Sequence, residues 1–177
     1  MTAPTRADAR RSVDAILLAA REVLAEDSFA GLDEIAAQAG VHRATLYRHF
    51  PSRDRLLASL HAAFFDDVDA VIRETDPGAP DLLAEVESLI RRVYEVNLDW
   101  RPYAWVPAYA RDHNPRRAEL GAMMAGLFAD AQQRGALRPD MPVRMLLTTW
   151  GAAVPFYASR IHEGEFTLDE VVAHTMV

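Results

Sequence analysis

Along almost the whole chain apolar residues recur three and four apart, and no stretch alternates apolar with polar residues as a half-buried strand would. That regularity restricts the fold to packed helices. Ser12 is placed to cap the first, VDAILLAAREVLAE, whose buried stripe is Ile16, Ala19, Ala20, Val23 and Leu24. Gly31, followed by Asp33 and Glu34, opens a short second helix, LDEIAAQA, which Gly40 ends. A third is expected over Arg43 to His49. Pro51 and Ser52 break it and start a long fourth helix reaching about Glu74. The segment TDPGAPD is the clearest boundary, with Asp81 capping a helix from Leu82 to about Asp99. Further helices are expected from Pro102 to about Asp112, from Pro115 behind Asn114 to Gly135, and from Asp140 to Gly164. Thr167-Leu168-Asp169-Glu170 has the form of a capping box and opens the last one. The expectation is an all-α chain of about nine helices, with a three-helix domain over residues 1–51 and a larger helical domain over 52–177. No termination signal follows the last helix, as in a chain shorter than the natural one.

Composition narrows the class. Half of the 177 residues are apolar and a quarter charged, which is enough for a core. No apolar run approaches the roughly 18 to 20 residues that span a bilayer. The start, MTAPTRADARRSVDA, is too polar for a secretory signal. With zero cysteines there is no disulfide framework and no thiolate metal site, and a cytoplasmic protein is expected. The net charge of −7 is unevenly spread. Residues 1–60 hold eight arginines against eight acids, while residues 61–177 hold eleven against eighteen.

The neutral end carries the stretch IAAQAGVHRATLYRHFPSRDRLL, from Ile35 to Leu57. Gly40 stands where the chain must turn with positive φ, a conformation costing other residues about 1 kcal/mol. Ala36 is small where a second helix must approach, and Leu46 faces the same interior as Ile35. The pattern is that of a helix-turn-helix, whose second helix enters the major groove of DNA. The outward positions of that helix are His42, Arg43, Ala44, Thr45, Tyr47, Arg48 and His49, most of which donate hydrogen bonds.

Over about residues 12–60 this stretch resembles the TetR family of bacterial one-component transcription regulators. The resemblance rests on Gly40-Val41, Thr45-Leu46-Tyr47, His49-Phe50 and Ser52-Arg53. Two places depart from it: Ala30 and Gly31 stand where the family usually has Ser or Thr, and EDSFAG lacks the usual turn glycine. The resemblance implies base readout by Arg43, Ala44 and Thr45, with His42 beside them, and phosphate contacts from Tyr47, Arg48, His49 and Arg53. Phe50 is expected to pack between helices. Arg6, Arg10 and Arg11 could form a basic arm.

The family also has a regulatory domain that dimerises and holds a small-molecule effector, so the function implied is a dimeric regulator, a repressor by family habit, that leaves palindromic operator DNA when an effector binds. The dimer interface is expected on helices Met141–Glu163 and Leu168–Val177. The stripe Leu146, Trp150, Val154, Tyr157 and Ile161 suits either that interface or the core. The aromatic run WRPYAWVPAYA, with Trp100, Tyr103, Trp105 and Tyr109, is the first candidate for the effector site. Pro107 and Pro155 would interrupt their helices there. Met123, Met124, Phe128 and Trp150 would complete the wall, a lining suited to a flat or cationic organic molecule.

Enzyme chemistry has little support. There is no HExxH, no repeated ExxH, no phosphate loop and no nucleophile elbow. Glu170 with His174 and Asp112 with Arg116 are isolated pairs, and His61 and His113 are isolated histidines. No metal or cofactor is implied. The alternative is a helical ligand-binding or protein-interaction module that does not bind DNA.

Overall fold

The computed structural model describes residues 6–100 and 115–176. Among them are eight helices and no strand: α1 (Arg6–Glu26), α2 (Leu32–Gln38), α3 (Arg43–His49), α4 (Arg53–Glu74), α5 (Leu82–Asp99), α6 (Pro115–Gln133), α7 (Val143–His162) and α8 (Leu168–Thr175). The helix expected over Pro102 to Asp112 lies outside the described residues. Two compact units result, the first ending at Ala63 and the second beginning at Phe64, inside α4.

In the first unit α1, α2 and α3 pack on one another. Ile16, Ala19, Ala20 and Leu24 of α1 are buried, as are Ile35 and Ala36 of α2, Leu46 of α3, Phe50, and Leu56 of α4. The α2–α3 turn is closed by main-chain bonds. The Gly40 amide donates to the Ala37 carbonyl (3.1 Å) and the Val41 amide to the Ala36 carbonyl (3.0 Å), with Gly40 at φ 64°. This double closure satisfies helix-end carbonyls only when the intervening residue is left-handed. Gly135 and Gly164 end α6 and α7 in the same way.

Two expected helix starts are corrected. Helix α1 begins at Arg6, so Ser12 is an interior residue; the alanines and arginines before it favour a helix and nothing among them breaks it. Arg6, Arg10 and Arg11 accordingly lie within α1. Helix α7 begins at Val143 behind Pro142, and Asp140 instead accepts two bonds of 2.7 Å from Arg138. Asp81 does cap α5, accepting from the Ala84 amide at 3.0 Å. Thr167 and Glu170 form the reciprocal capping box, and the two Thr167 donors hold the Glu170 carboxyl below its usual range.

The second unit is built round α5. Val86, Leu89, Ile90, Val93 and Tyr94 are buried against Leu120, Met124, Leu127 and Phe128 of α6, Val154 of α7, and Val171 and Val172 of α8. Arg134 fastens the α4–α5 loop, donating to the carbonyls of Pro77 (2.8 Å) and Ala79 (2.6 Å).

Two consequences can be measured. At Gly40 an added Cβ would meet nothing within 4 Å, so the cost is that of the backbone alone. Gly40→Ala should lower stability by about 1 kcal/mol in denaturant melts while keeping the helical signal. His61 of α4 is 5% exposed, and burial pushes its pKa down to about 4. Above pH 6.5 the imidazole is neutral whether the chain is folded or not. As pH falls from 6.5 to about 4 the unfolded chain takes up a proton that the native one refuses, removing up to about 3 kcal/mol of stability. His61→Phe should flatten that part of the stability–pH curve relative to the parent.

Candidate nucleic-acid interface

The short helix α3 presents two faces because its residues alternate between core and solvent at helical period. Leu46 is fully buried, and from it the rest of the helix takes its rotation. His42, Arg43, Ala44, Tyr47 and Arg48 are then exposed, and Thr45 is half-buried. His42 precedes the first turn with its side chain making no cap bond. One face therefore carries an imidazole, two guanidiniums, a phenol and a hydroxyl, with a methyl at Ala44 (a small residue that lets a surface come close). A face of that kind offers donors to phosphate and base edges, together with apolar contact for a thymine methyl.

Two residues expected on that surface are less exposed. His49 is half-buried, with Nε2 buried and without a hydrogen-bond partner among the described residues. Arg53 is part-buried, and its guanidinium reaches back to the α1–α2 loop, donating from Nη1 to the Ala30 carbonyl and from Nη2 to the Ser28 carbonyl (2.5 Å). It thereby straps the segment where Ser or Thr was expected as a cap. Gly31 holds the α2 N-cap position in an extended conformation with no side-chain bond.

Arg43 contrasts with Arg53. Its Nε lies 2.6 Å from Asp33 Oδ1 with both side chains largely exposed, and its Cζ sits 6.0 Å from the centroid of the Tyr47 ring. Sequence reasoning did not pair Arg43 with Asp33.

The residues proposed for an effector site divide into three groups. Phe128 and Trp150 meet with ring centroids 5.8 Å apart, and Met124 is buried in the same cluster. Trp150 Nε1 is buried without a hydrogen-bond partner among the described residues. Trp100, at the end of α5, is buried separately; its ring stands edge-on to Phe64 at 5.9 Å and Nε1 donates to Asp67 at 2.8 Å. Tyr103, Trp105 and Tyr109, with Pro107, lie outside the described residues. Helix α7 runs unbroken through Pro155, so the expected interruption there is corrected.

No metal-like cluster emerges among the described residues, where no group of three or more His, Asp or Glu could hold an ion. His174 and Glu170 meet through the Glu170 carbonyl, 2.8 Å from Nδ1, as neighbours on one helix turn. None of the described helices is long and apolar enough to cross a membrane.

Comparison with known proteins agrees with this geometry. Residues 16–60 match the family model for bacterial regulatory proteins of the tetR family. Over 104 residues, 58% of this chain, the sequence is 41% identical to the HTH-type transcriptional repressor LfrR of Mycolicibacterium smegmatis. That alignment spans 53% of the relative, about half its length. The crystal structure of LfrR in complex with proflavine superposes with a TM-score of 0.68 at 27% identity, covering 94% of this chain and 93% of that one. A TetR family transcription regulator from Marinobacter aquaeolei shares the fold with a TM-score of 0.73 at 20% identity, covering 97% of this chain and 95% of that one.

The two arginines make a stability test. Arg53→Ala leaves two main-chain carbonyls without their charged donors and should cost about 1–3 kcal/mol, with Arg53→Lys a poor rescue because it lacks the fork. Arg43→Ala, which removes an exposed pair, should change stability by less than about 0.5 kcal/mol. Chemical denaturation of the three variants compares them directly.

Proposed function

We propose that this chain, whose residues 16–60 match the model for bacterial regulatory proteins of the tetR family, is a dimeric transcriptional repressor that binds palindromic operator DNA and lets go when a small organic effector binds. The observation that carries the reading is the exposed face of α3, with His42, Arg43, Ala44, Tyr47 and Arg48 turned outward by the burial of Leu46. Arg43, Ala44 and Thr45 read bases; Tyr47 and Arg48 hold the phosphate backbone. Arg53 and His49 serve from behind: Arg53 by fixing the α1–α2 loop, and His49 by lying at the seam between face and interior. The compact unit ending at Ala63 is the DNA-binding domain, and the unit from Phe64 onward regulates it.

One such helix covers too few bases, so two must act about 34–36 Å apart or at a spacing the protein can reach. The dimer surface proposed here is the outer face of α7. From Met145 to Ser159 that helix has no charged residue, and Met145, Thr149, Ala152 and Phe156 are exposed along one side. An uncharged, partly aromatic helical face of this kind favours burial against its symmetry mate. In the stripe Leu146, Trp150, Val154, Tyr157 and Ile161, Val154 is buried in the core and the other four are partly buried against it. The effector is proposed to enter beside Met124, Phe128 and Trp150, where the buried indole N–H can donate to it. The complex of the relative LfrR with proflavine, a planar aromatic cation, supports an effector of that class.

Salt dependence tests the central claim. A dimer touching about six to ten phosphates should lose roughly 10³–10⁵ in affinity for duplex DNA between about 50 and 200 mM salt. Arg43→Ala should relax base preference by about 1–3 kcal/mol at one position per half-site. Tyr47→Phe should weaken all sequences about equally. Affinity independent of salt, or an unchanged preferred site in Arg43→Ala, would refute the assignment.

A further inference from the structure

The pair Asp33–Arg43 adds little to stability. With 66% of the arginine side chain and 50% of the aspartate exposed, such a pair contributes roughly 0–1 kcal/mol. Its consequence is geometric. A guanidinium carries five N–H donors in a planar fork, one on Nε and two on each terminal nitrogen. The Asp33 carboxylate engages Nε at 2.6 Å, and the Tyr47 ring lies 6.0 Å from Cζ, within cation–π range and one helical turn further along α3. Two restraints thus act on a long side chain that would otherwise sample many rotamers. They leave the end of the fork, Nη1 and Nη2, as the edge turned from the carboxylate. Two parallel donors on that edge match the N7 and O6 acceptors that guanine shows in the major groove.

We propose that Asp33 is a positioning residue for operator readout: it holds Arg43 by Nε so that Nη1 and Nη2 meet one guanine end-on in each half-site. This rests on the reading of α3 as the recognition helix. The carboxylate also stands near a surface that approaches phosphates, and repulsion there lowers affinity for every sequence alike. Asp33 therefore trades general affinity for discrimination, and removing it should reverse that trade. A residue with a purely structural role would not do so.

The test uses the full chain and a pool of randomised duplexes. The parent is taken through selection, and the duplex it prefers is titrated with parent, Asp33→Ala, Asp33→Asn, Arg43→Ala and the double variant. The titrations are repeated on duplexes with each G·C pair changed in turn. Asp33→Ala should lose about five- to tenfold of its discrimination at one G·C pair per half-site. Its affinity for unrelated duplex should stay level or rise. Asp33→Asn, which keeps an acceptor oxygen without the charge, should fall between parent and Asp33→Ala. In the Arg43→Ala background the Asp33 change should have no further effect on discrimination, because the two residues act as one unit. Unchanged discrimination in Asp33→Ala, or the same loss with Arg43 absent, overturns the proposal. A parent that selects no duplex overturns the reading of α3 as well, so the two failures are told apart by the parent alone. Because the pair is exposed, thermal melts of the variants should superpose on the parent, and any that do not are replaced by Asp33→Ser.

Discussion

The orientation of α3 depends on the four residues between Gln38 and Arg43. Two amides, those of Gly40 and Val41, return to the carbonyls of Ala37 and Ala36, and they can do so only with a left-handed residue between them. That closure ends α2 and redirects the chain within a few residues. Ile35 and Ala36 on one side and Leu46 on the other then meet as a single buried patch. Once Leu46 is inside, the 3.6-residue period turns Arg43 and Tyr47 to solvent. The exposed chemistry of α3 is thus a consequence of apolar burial behind it, and it needs no polar interaction of its own to be held in place.

The second unit solves a different problem. Helix α7 is apolar round most of its circumference, with no charge for fifteen residues from Met145 to Ser159. A single helix of that kind is usually enclosed on all sides. Here α5, α6 and α8 supply cover to the side that carries Val154, while Met145, Ala152 and Phe156 remain open. That open side is the surface proposed above for a symmetry mate.

Much of this was legible from local chemistry. Gly40, Gly135 and Gly164 as helix ends, Asp81 as a cap and the Thr167–Glu170 box depend on residues a few positions apart, so sequence spacing carries them. Three features did not reduce to spacing. Ser12 reads as a cap, but the Ala- and Arg-rich residues before it extend α1 over it, tertiary context aside. The side of α7 that enters the core was undecided because both sides are apolar, and only the positions of α5, α6 and α8 distinguish them. Among the candidate site residues, the contacts of Arg53 were hidden for the same reason: its partners, Ser28 and Ala30, are 25 and 23 residues away and are main-chain carbonyls, which no residue type announces.

The arginines make the general point. Arg53 takes the carbonyls of Ser28 and Ala30, and Arg134 takes those of Pro77 and Ala79. In both, the fork bridges carbonyls two residues apart on a loop, an arrangement a lysine point charge cannot reproduce. Each such guanidinium commits one donor of each terminal nitrogen to its own chain. Arg43 differs in that its charged contact is made at Nε and its side chain is largely exposed, on a helix whose other exposed groups include His42, Tyr47 and Arg48. Charge alone would rank the three alike. What separates Arg53 and Arg134 from Arg43 is the acceptor each meets: main-chain carbonyls engage both terminal nitrogens of the first two, whereas a carboxylate meets Arg43 at Nε.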